Sequence, residues 1–256
     1  MKQSKSVIGV AKPHSIKKFE LIENYVDKWA RTLLHYNKSD GIVFIDCMCN
    51  AGMYKDKNGR LIEGSAIRII KKLDEINSHY HKDVKVYFND IDERKIEYLE
   101  KAIVGLNICN VDWKLNCQDA NQFLKEFDMA GMDQKHSLLF YDPYKAAIDW
   151  TAIDPFLKRW GEVIVNHMVS DSIRGIKTAR KPEAINKYMQ TYECEFELLY
   201  EKGTSKQEFE KLIFNAMRKH TETFNGECFI STIPFYIKTN QLIYNLVFFT
   251  RNLKGF

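Results

Sequence analysis

A chain of 256 residues, 45% of them apolar and 28% charged, is long enough to bury one full core and lacks the bias of disordered, collagenous or disulfide-stapled sequences. The net charge of +4 neither requires nor excludes a nucleic-acid partner, and no run reaches the roughly 18 apolar residues of a membrane span. The N-terminus has no apolar stretch of signal-peptide length, and six scattered cysteines suit a reducing compartment, so the cytoplasm is the expected location, with no membrane partner.

In chain order, Ser15 to Tyr36 place Phe19, Leu21, Ile22, Tyr25, Val26, Trp29, Leu33 and Leu34 at spacings of three and four. That spacing predicts an amphipathic helix, with Ser15 as its cap. Met1 to Lys38 hold eight Lys or Arg against three acidic residues, a basic edge. Next comes I-V-F-I-D-C-M-C-N-A-G, Ile42 to Gly52. A short β-branched run ending in Asp46 and turning through small residues reads as a buried parallel strand that delivers a ligand-binding loop. Cys47 and Cys49 have no second cysteine pair at zinc spacing, so they read as small residues in a tight turn and no metal site is expected.

Met53 to Glu63 is polar and contains the turn Asn58-Gly59; a helix follows from Ser65 to about Asn77. The second strand, Val84 to Asn89, runs into Asp90-Ile91-Asp92, and the next helix buries Ile96, Leu99 and Ile103. The third strand, Val111 to Asn116, ends near Asp119, a residue suited to capping the following helix. The fourth, Ser137 to Tyr141, leads into Asp142-Pro143-Tyr144, and a helix around Ile153 to Arg159 precedes the fifth, Glu162 to His167. Strand and helix alternate five times, which argues for a parallel sheet with right-handed crossovers.

The pattern then changes. Met168 to Asn225 is helical and charge-rich, with ten basic and nine acidic residues, and reads as an insertion over the sheet. Cys228 to Lys238 and Leu242 to Arg251, joined at Thr239-Asn240-Gln241, form a β-hairpin at the sheet's edge. The expected organisation is thus an N-terminal helical segment (1–40), a Rossmann-like core (41–167), a helical cap (168–225) and a closing hairpin (226–256).

An alternating α/β chain with acidic residues at successive strand ends and a closing antiparallel hairpin resembles the class I S-adenosylmethionine-dependent methyltransferases. The resemblance implies a seven-stranded, mostly parallel sheet and S-adenosyl-L-methionine as cofactor. It implies that Asp46 and the turn through Cys49 and Asn50 to Gly52 face the methionine part. Asp90, with Asp92 beside it, would accept the ribose hydroxyls, and Asp119 with the amide of Ala120 would meet the adenine edge. Asp90 and Asp92 also read as turn residues, and Asp119 as a cap alone. Asp142-Pro143-Tyr144 resembles the loop with which amino-methyltransferases of nucleic-acid bases hold the target amine and stack its ring, with one proline where those enzymes usually have two; it also reads as a turn before a helix with a buried tyrosine.

The ordered runs from His14 to Trp29, D-C-M-C-N-A-G, G-S-A, F-N-D-I-D, F-Y-D-P-Y, Ser172-Ile173-Arg174-Gly175 and I-Y-N-L-V-F-F-T-R resemble the three-Cys-motif partner proteins. These are bacterial and phage-linked methyltransferase-like proteins encoded beside a cysteine-rich, radical-enzyme-like protein. Met48, Cys49 and Asn50 stand where that family has an aromatic residue, alanine and its first glycine. Asn50 is able to adopt the left-handed backbone that a glycine would supply. Two functions follow from the resemblance: a methyltransferase acting on an amine of a nucleic-acid base, or a catalytically degenerate partner or scaffold of the three-Cys-motif protein. His167, at a strand end, is a candidate general base beside a structural reading.

Overall fold

Proline at position 13 sets where the first helix begins. The computed structural model describes residues 6–132, 135–143, 147–159, 161–202, 205–221, 228–237 and 241–251. In it α1 runs Pro13–His35, with Pro13 in its first turn and Lys12 as an N-cap that makes no side-chain cap bond. The expected cap, Ser15, instead lies inside the helix. A proline at the first helical position has its φ preset and lacks only an N–H that had no partner there, so the start moves two residues upstream. Phe19, Ile22, Val26, Trp29, Ala30 and Leu34 form its buried stripe.

The chain divides into two compact units, Met1–Leu138 and Leu139–Phe256. That division falls within a strand. In the first unit, β1 (Gly41–Asp46) is buried along its whole length and pairs in parallel with β4 (Asp83–Asn89). β4 pairs in parallel with β5 (Asp112–Asn116). A Cβ at Gly41 would stand 1.8 Å from the carbonyl oxygen of Asp83, so the two strands enter the sheet too close together for any side chain there. The stretch read as a polar turn holds a small hairpin, β2 (Met53–Lys55) with β3 (Leu61–Glu63). Asp56 Oδ1 accepts the backbone N–H groups of Asn58 and Arg60 to close its turn, a local side-chain bond that propensity does not show.

Helix α2 (Ser65–Tyr80) ends on His81 in the left-handed conformation. Its last turn is tied to both neighbouring strands through Asn77, a buried amide. Asn77 Nδ2 donates to the carbonyls of Lys82 at 2.8 Å and Asn110 at 2.6 Å, and Oδ1 accepts from Lys82 N–H at 3.0 Å. Asp74 Oδ1 accepts from the amides of Cys109 and Asn110 beside it. After β4 and β5 come α3 (Glu93–Val104) and α4 (Ala120–Lys125), capped by the side chains of Asp92 and Asp119 respectively.

The seven-stranded sheet is completed by β6 (His136–Tyr141), β7 (Gly161–His167), β8 (Phe229–Tyr236) and β9 (Leu242–Thr250), in the order β5-β4-β1-β6-β7-β9-β8. β9 is antiparallel to both β7 and β8, the closing hairpin read from the sequence. Its expected turn at 239–241 lies largely outside the described residues. In the second unit, α5 (Trp150–Leu157) starts three residues before the expected position because Asp149 caps it, accepting from Thr151 N–H.

Residues 168–225 contain α6 (Val169–Thr178), α7 (Pro182–Tyr192), α8 (Phe196–Lys202) and α9 (Lys206–Lys219). His220, just past α9, ties this layer down. Its Nδ1 lies 3.0 Å from Asp154 Oδ1 and its Nε2 2.7 Å from Glu193 Oε1, while its ring stacks on Trp150 at 5.4 Å. Among the described residues no helix is long and apolar enough to cross a membrane.

Asn77→Ala removes three hydrogen bonds and leaves buried backbone groups without partners, at an expected cost of about 2–3 kcal/mol. The measurement is urea denaturation, where the midpoint should fall with the slope unchanged.

Candidate functional site

The loop after β1 is built from bonds to the end of β4. Asp46, the last residue of β1, is 1% exposed, and its Oδ1 accepts the backbone N–H of Met48 at 3.1 Å. Cys49 N–H donates to the carbonyl of Asn89 at 2.8 Å, and Asn50 N–H donates to Asp90 Oδ2 at 3.0 Å. Asn50 has φ of 61° and Gly52 of 72°, so the asparagine does take the left-handed turn. Its own Oδ1 accepts from Ala51 N–H at 2.9 Å. The glycine at position 52 answers a packing need as well: a Cβ there would stand 2.5 Å from Leu99 Cδ1 and 3.0 Å from Ile67 Cγ1.

Asn89, at the end of β4 and fully buried, holds this loop to the next one. Its Nδ2 donates to the carbonyls of Cys47 and Gln118, each at 3.0 Å, and its Oδ1 accepts from Gln118 N–H at 3.2 Å. Sequence reading passed over it, although a buried amide ending an otherwise apolar strand is a signal that can be searched for. Asp90 follows, 7% exposed. Its Oδ2 accepts from Asn50 N–H and Oδ1 from Asp92 N–H at 2.9 Å, and Lys95 Nζ approaches Oδ2 at 3.3 Å.

The buried thiol of Cys49 sits in the field of these groups. Burial pushes its pKa well up, and the charges of Asp46 and Asp90 push it further. Two carboxylates and the Lys95 ammonium thus act on one loop. The side chains of Asp92 and Asp119 are engaged at helix starts. Asp92 caps α3 and is paired with Arg94 at 2.8 Å, which holds its carboxyl below the usual range. Asp119 is exposed and accepts from the N–H groups of Asn121 and Gln122 as the cap of α4, whose first residue is Ala120.

In the second unit, Asp142 and Pro143 follow β6, Asp142 half-buried and Pro143 buried; Tyr144 lies outside the described residues. Asn166, on β7, donates from Nδ2 to Asp142 Oδ1 at 2.5 Å. Tyr244, on β9, stacks on Phe235 at 4.8 Å. Its hydroxyl is held protonated, first by burial and then by the charge of Asp142. Asn166 and Tyr244 were missed in the sequence because pairing between strands distant in the chain places them near Asp142. His167 is 1% exposed, and its Nε2 lies 2.8 Å from the hydroxyl of Tyr192, which donates onward to Ser172 Oγ at 2.5 Å. Burial lowers its pKa to about 3, which makes it a neutral structural group and a poor base.

No family model matches the sequence, and no curated protein matches it either. Solved structures do match in fold. Trm1 from Pyrococcus horikoshii, in complex with S-adenosyl-L-methionine, is 15% identical over 96% of this chain and 60% of its own, with a TM-score of 0.48. Protein LPL1258 from Legionella pneumophila is 12% identical over 91% of this chain and 85% of its own, at 0.53. DszA carbon methyltransferase is 11% identical over 93% and 55%, at 0.51. The chain thus spans less than two thirds of the length of the first and third of these. At this identity the likeness to the second and third shows the fold alone: a Rossmann-like, mostly parallel seven-stranded sheet with an antiparallel edge pair.

Neutral His167 gives the fold a pH dependence of definite sign. Its folded pKa of about 3 lies below the ordinary 6.5, so the unfolded chain takes up a proton that the folded chain refuses. Stability then falls as pH drops below about 6.5, by about 1.4 kcal/mol per unit, and levels off near 3. His167→Gln removes this component. In urea denaturation from pH 7 to 4.5, the wild type should lose more stability than the variant.

Proposed function

We propose that the chain is an S-adenosyl-L-methionine-dependent methyltransferase that acts on an amine of a nucleic-acid base. The observation that carries the reading is the loop after β1: left-handed at Asn50 and Gly52 and set in the field of buried Asp46 and Asp90. It lies at the carboxyl end of a parallel strand, where open α/β sheets hold their ligands. The likeness to the fold of a carbon methyltransferase supports the same class.

Bound S-adenosylmethionine would supply an electrophilic methyl group on a positively charged sulfonium. Asp46 and the backbone of Cys49 to Gly52 would hold its methionine part, and low dielectric strengthens the attraction of their field for its positive charges. Asp90 would hold the ribose after releasing Lys95, whose contact is the longest it makes. Asp119 and the amide of Ala120 would meet the adenine, and Asp92 would support the turn.

On the acceptor side, Asp142 would accept a hydrogen from the target amine and so aim its lone pair, with Asn166 fixing the carboxylate and Pro143 and Tyr144 shaping the loop. Positioning provides most of the acceleration in such a transfer. The basic edge of residues 1–38 and the exposed Arg174, Lys177, Arg180 and Lys181 suit a phosphate backbone. A base within a duplex would be flipped out to reach the site.

A second reading, a non-catalytic partner of a three-Cys-motif protein, is favoured by one observation. The Asp90 carboxylate already accepts two backbone N–H groups and the Lys95 ammonium, which leaves it little capacity for a ribose.

Titration calorimetry of the full chain with S-adenosylmethionine and S-adenosylhomocysteine separates the two. The enzyme reading expects Kd values on the order of micromolar. Asp46→Asn and Asp90→Ala should weaken them about tenfold or more, a loss of about 1.4 kcal/mol or greater, with melting checked for each variant. Absence of binding at millimolar ligand would leave the partner reading.

A further inference from the structure

We infer that the second unit carries a pocket that reads a planar, amine-bearing heterocycle of nucleobase type, formed between α9 and the strands β8 and β9. A cavity of about 410 Å³ is lined there by Gln207, Glu210, Pro234, Tyr236, Leu242 and Asn245, within the range of small-ligand sites. Its place in the sheet is that of a ligand site. Asn245 stands opposite His167, the last residue of β7, so the cavity opens at the carboxyl end of that strand.

One polar group at this place has capacity that the fold leaves unused. Asn245 is 3% exposed, and its amide oxygen has no hydrogen-bond partner among the described residues. A buried polar group without a partner costs stability, and a ligand that brings the missing partner recovers it.

The lining selects the ligand class. Carboxamides such as those of Asn245 and Gln207 present a donor beside an acceptor, the pattern that matches an adenine edge, and a carboxylate accepts from the exocyclic amine of cytosine. Glu210 is that carboxylate. The hydroxyl of Thr232 donates to its Oε1 and fixes its direction. The half-exposed ring of Tyr236 offers a stacking surface, with Pro234 and Leu242 as apolar walls. The charge of Glu210 disfavours a phosphate or carboxylate in the same space, so the pocket takes the base and not the backbone.

The inference goes beyond the methyl-transfer reading, whose acceptor group is Asp142 and not a residue of this cavity, and the ligand class is measurable without catalysis. The test is titration of the full chain with cytidine, which avoids competition for an adenosine site, and with ribose as control. It is followed by NMR with and without S-adenosylhomocysteine. Gln207→Ala and Tyr236→Ala change exposed side chains, so their folding is expected to be intact. Asn245→Leu, with its melting temperature measured, probes the buried amide. Cytidine should bind about tenfold or more tighter than ribose, and Gln207→Ala and Tyr236→Ala should each weaken it about three- to tenfold, in keeping with loss of one stacking or edge contact. Binding no tighter than ribose, or unchanged in all three variants, overturns the pocket. Cytidine binding without S-adenosylhomocysteine binding keeps the pocket and removes the methyl-transfer reading; the converse keeps that reading and removes the pocket.

Discussion

Three strand ends in the first unit are held in one arrangement by the carboxamide of Asn89. It donates to the loop after β1 and both donates to and accepts from the backbone after β5. Its own carbonyl receives Cys49 N–H. A buried amide with all its partners met is more rigid than an apolar contact, because each bond is directional and a missing one leaves a desolvated group. The left-handed turn at Asn50 depends on that arrangement. A non-glycine residue at positive φ persists only where its surroundings impose it, and here Asp90, the residue after β4, receives its N–H.

The same geometry concentrates charge. Two buried carboxylates, Asp46 and Asp90, act on one loop, and the thiol of Cys49 is raised first by burial and then by their charges. Lys95 and the backbone N–H groups offset part of the cost of burying them, which is the condition under which buried charge is tolerated.

In the second unit the polar residues lie at the carboxyl end of β7 and on β9. Asn166 is spent on Asp142, and His167 on Tyr192 and through it Ser172. Asn245 keeps an unmatched oxygen beside a cavity. Asn166 Oδ1 and His167 Nδ1 are likewise buried without a partner among the described residues, but of the three residues only Asn245 lines that cavity. His220, with two carboxylates and a tryptophan around it, holds the fold together.

Periodicity along the chain was enough to read the alternating strands and helices, the acidic residues after them and the closing hairpin, since burial of a strand or a helix face leaves a repeat in the local sequence. The small hairpin of Met53–Glu63 and the start of α1 were not legible, because a side-chain bond from Asp56 and a proline at the first helical position decided them locally, without any apolar repeat. The sequence also supplied which residues follow each strand. Only the tertiary structure decided what those residues do. Asp90 binds the neighbouring loop, and Asn89, Asn166 and Asn245 acquire their partners, or lack them, through pairing between strands far apart in the chain. Hydrogen bonds of that kind depend on distances set by sheet order, and no local pattern of residues encodes them.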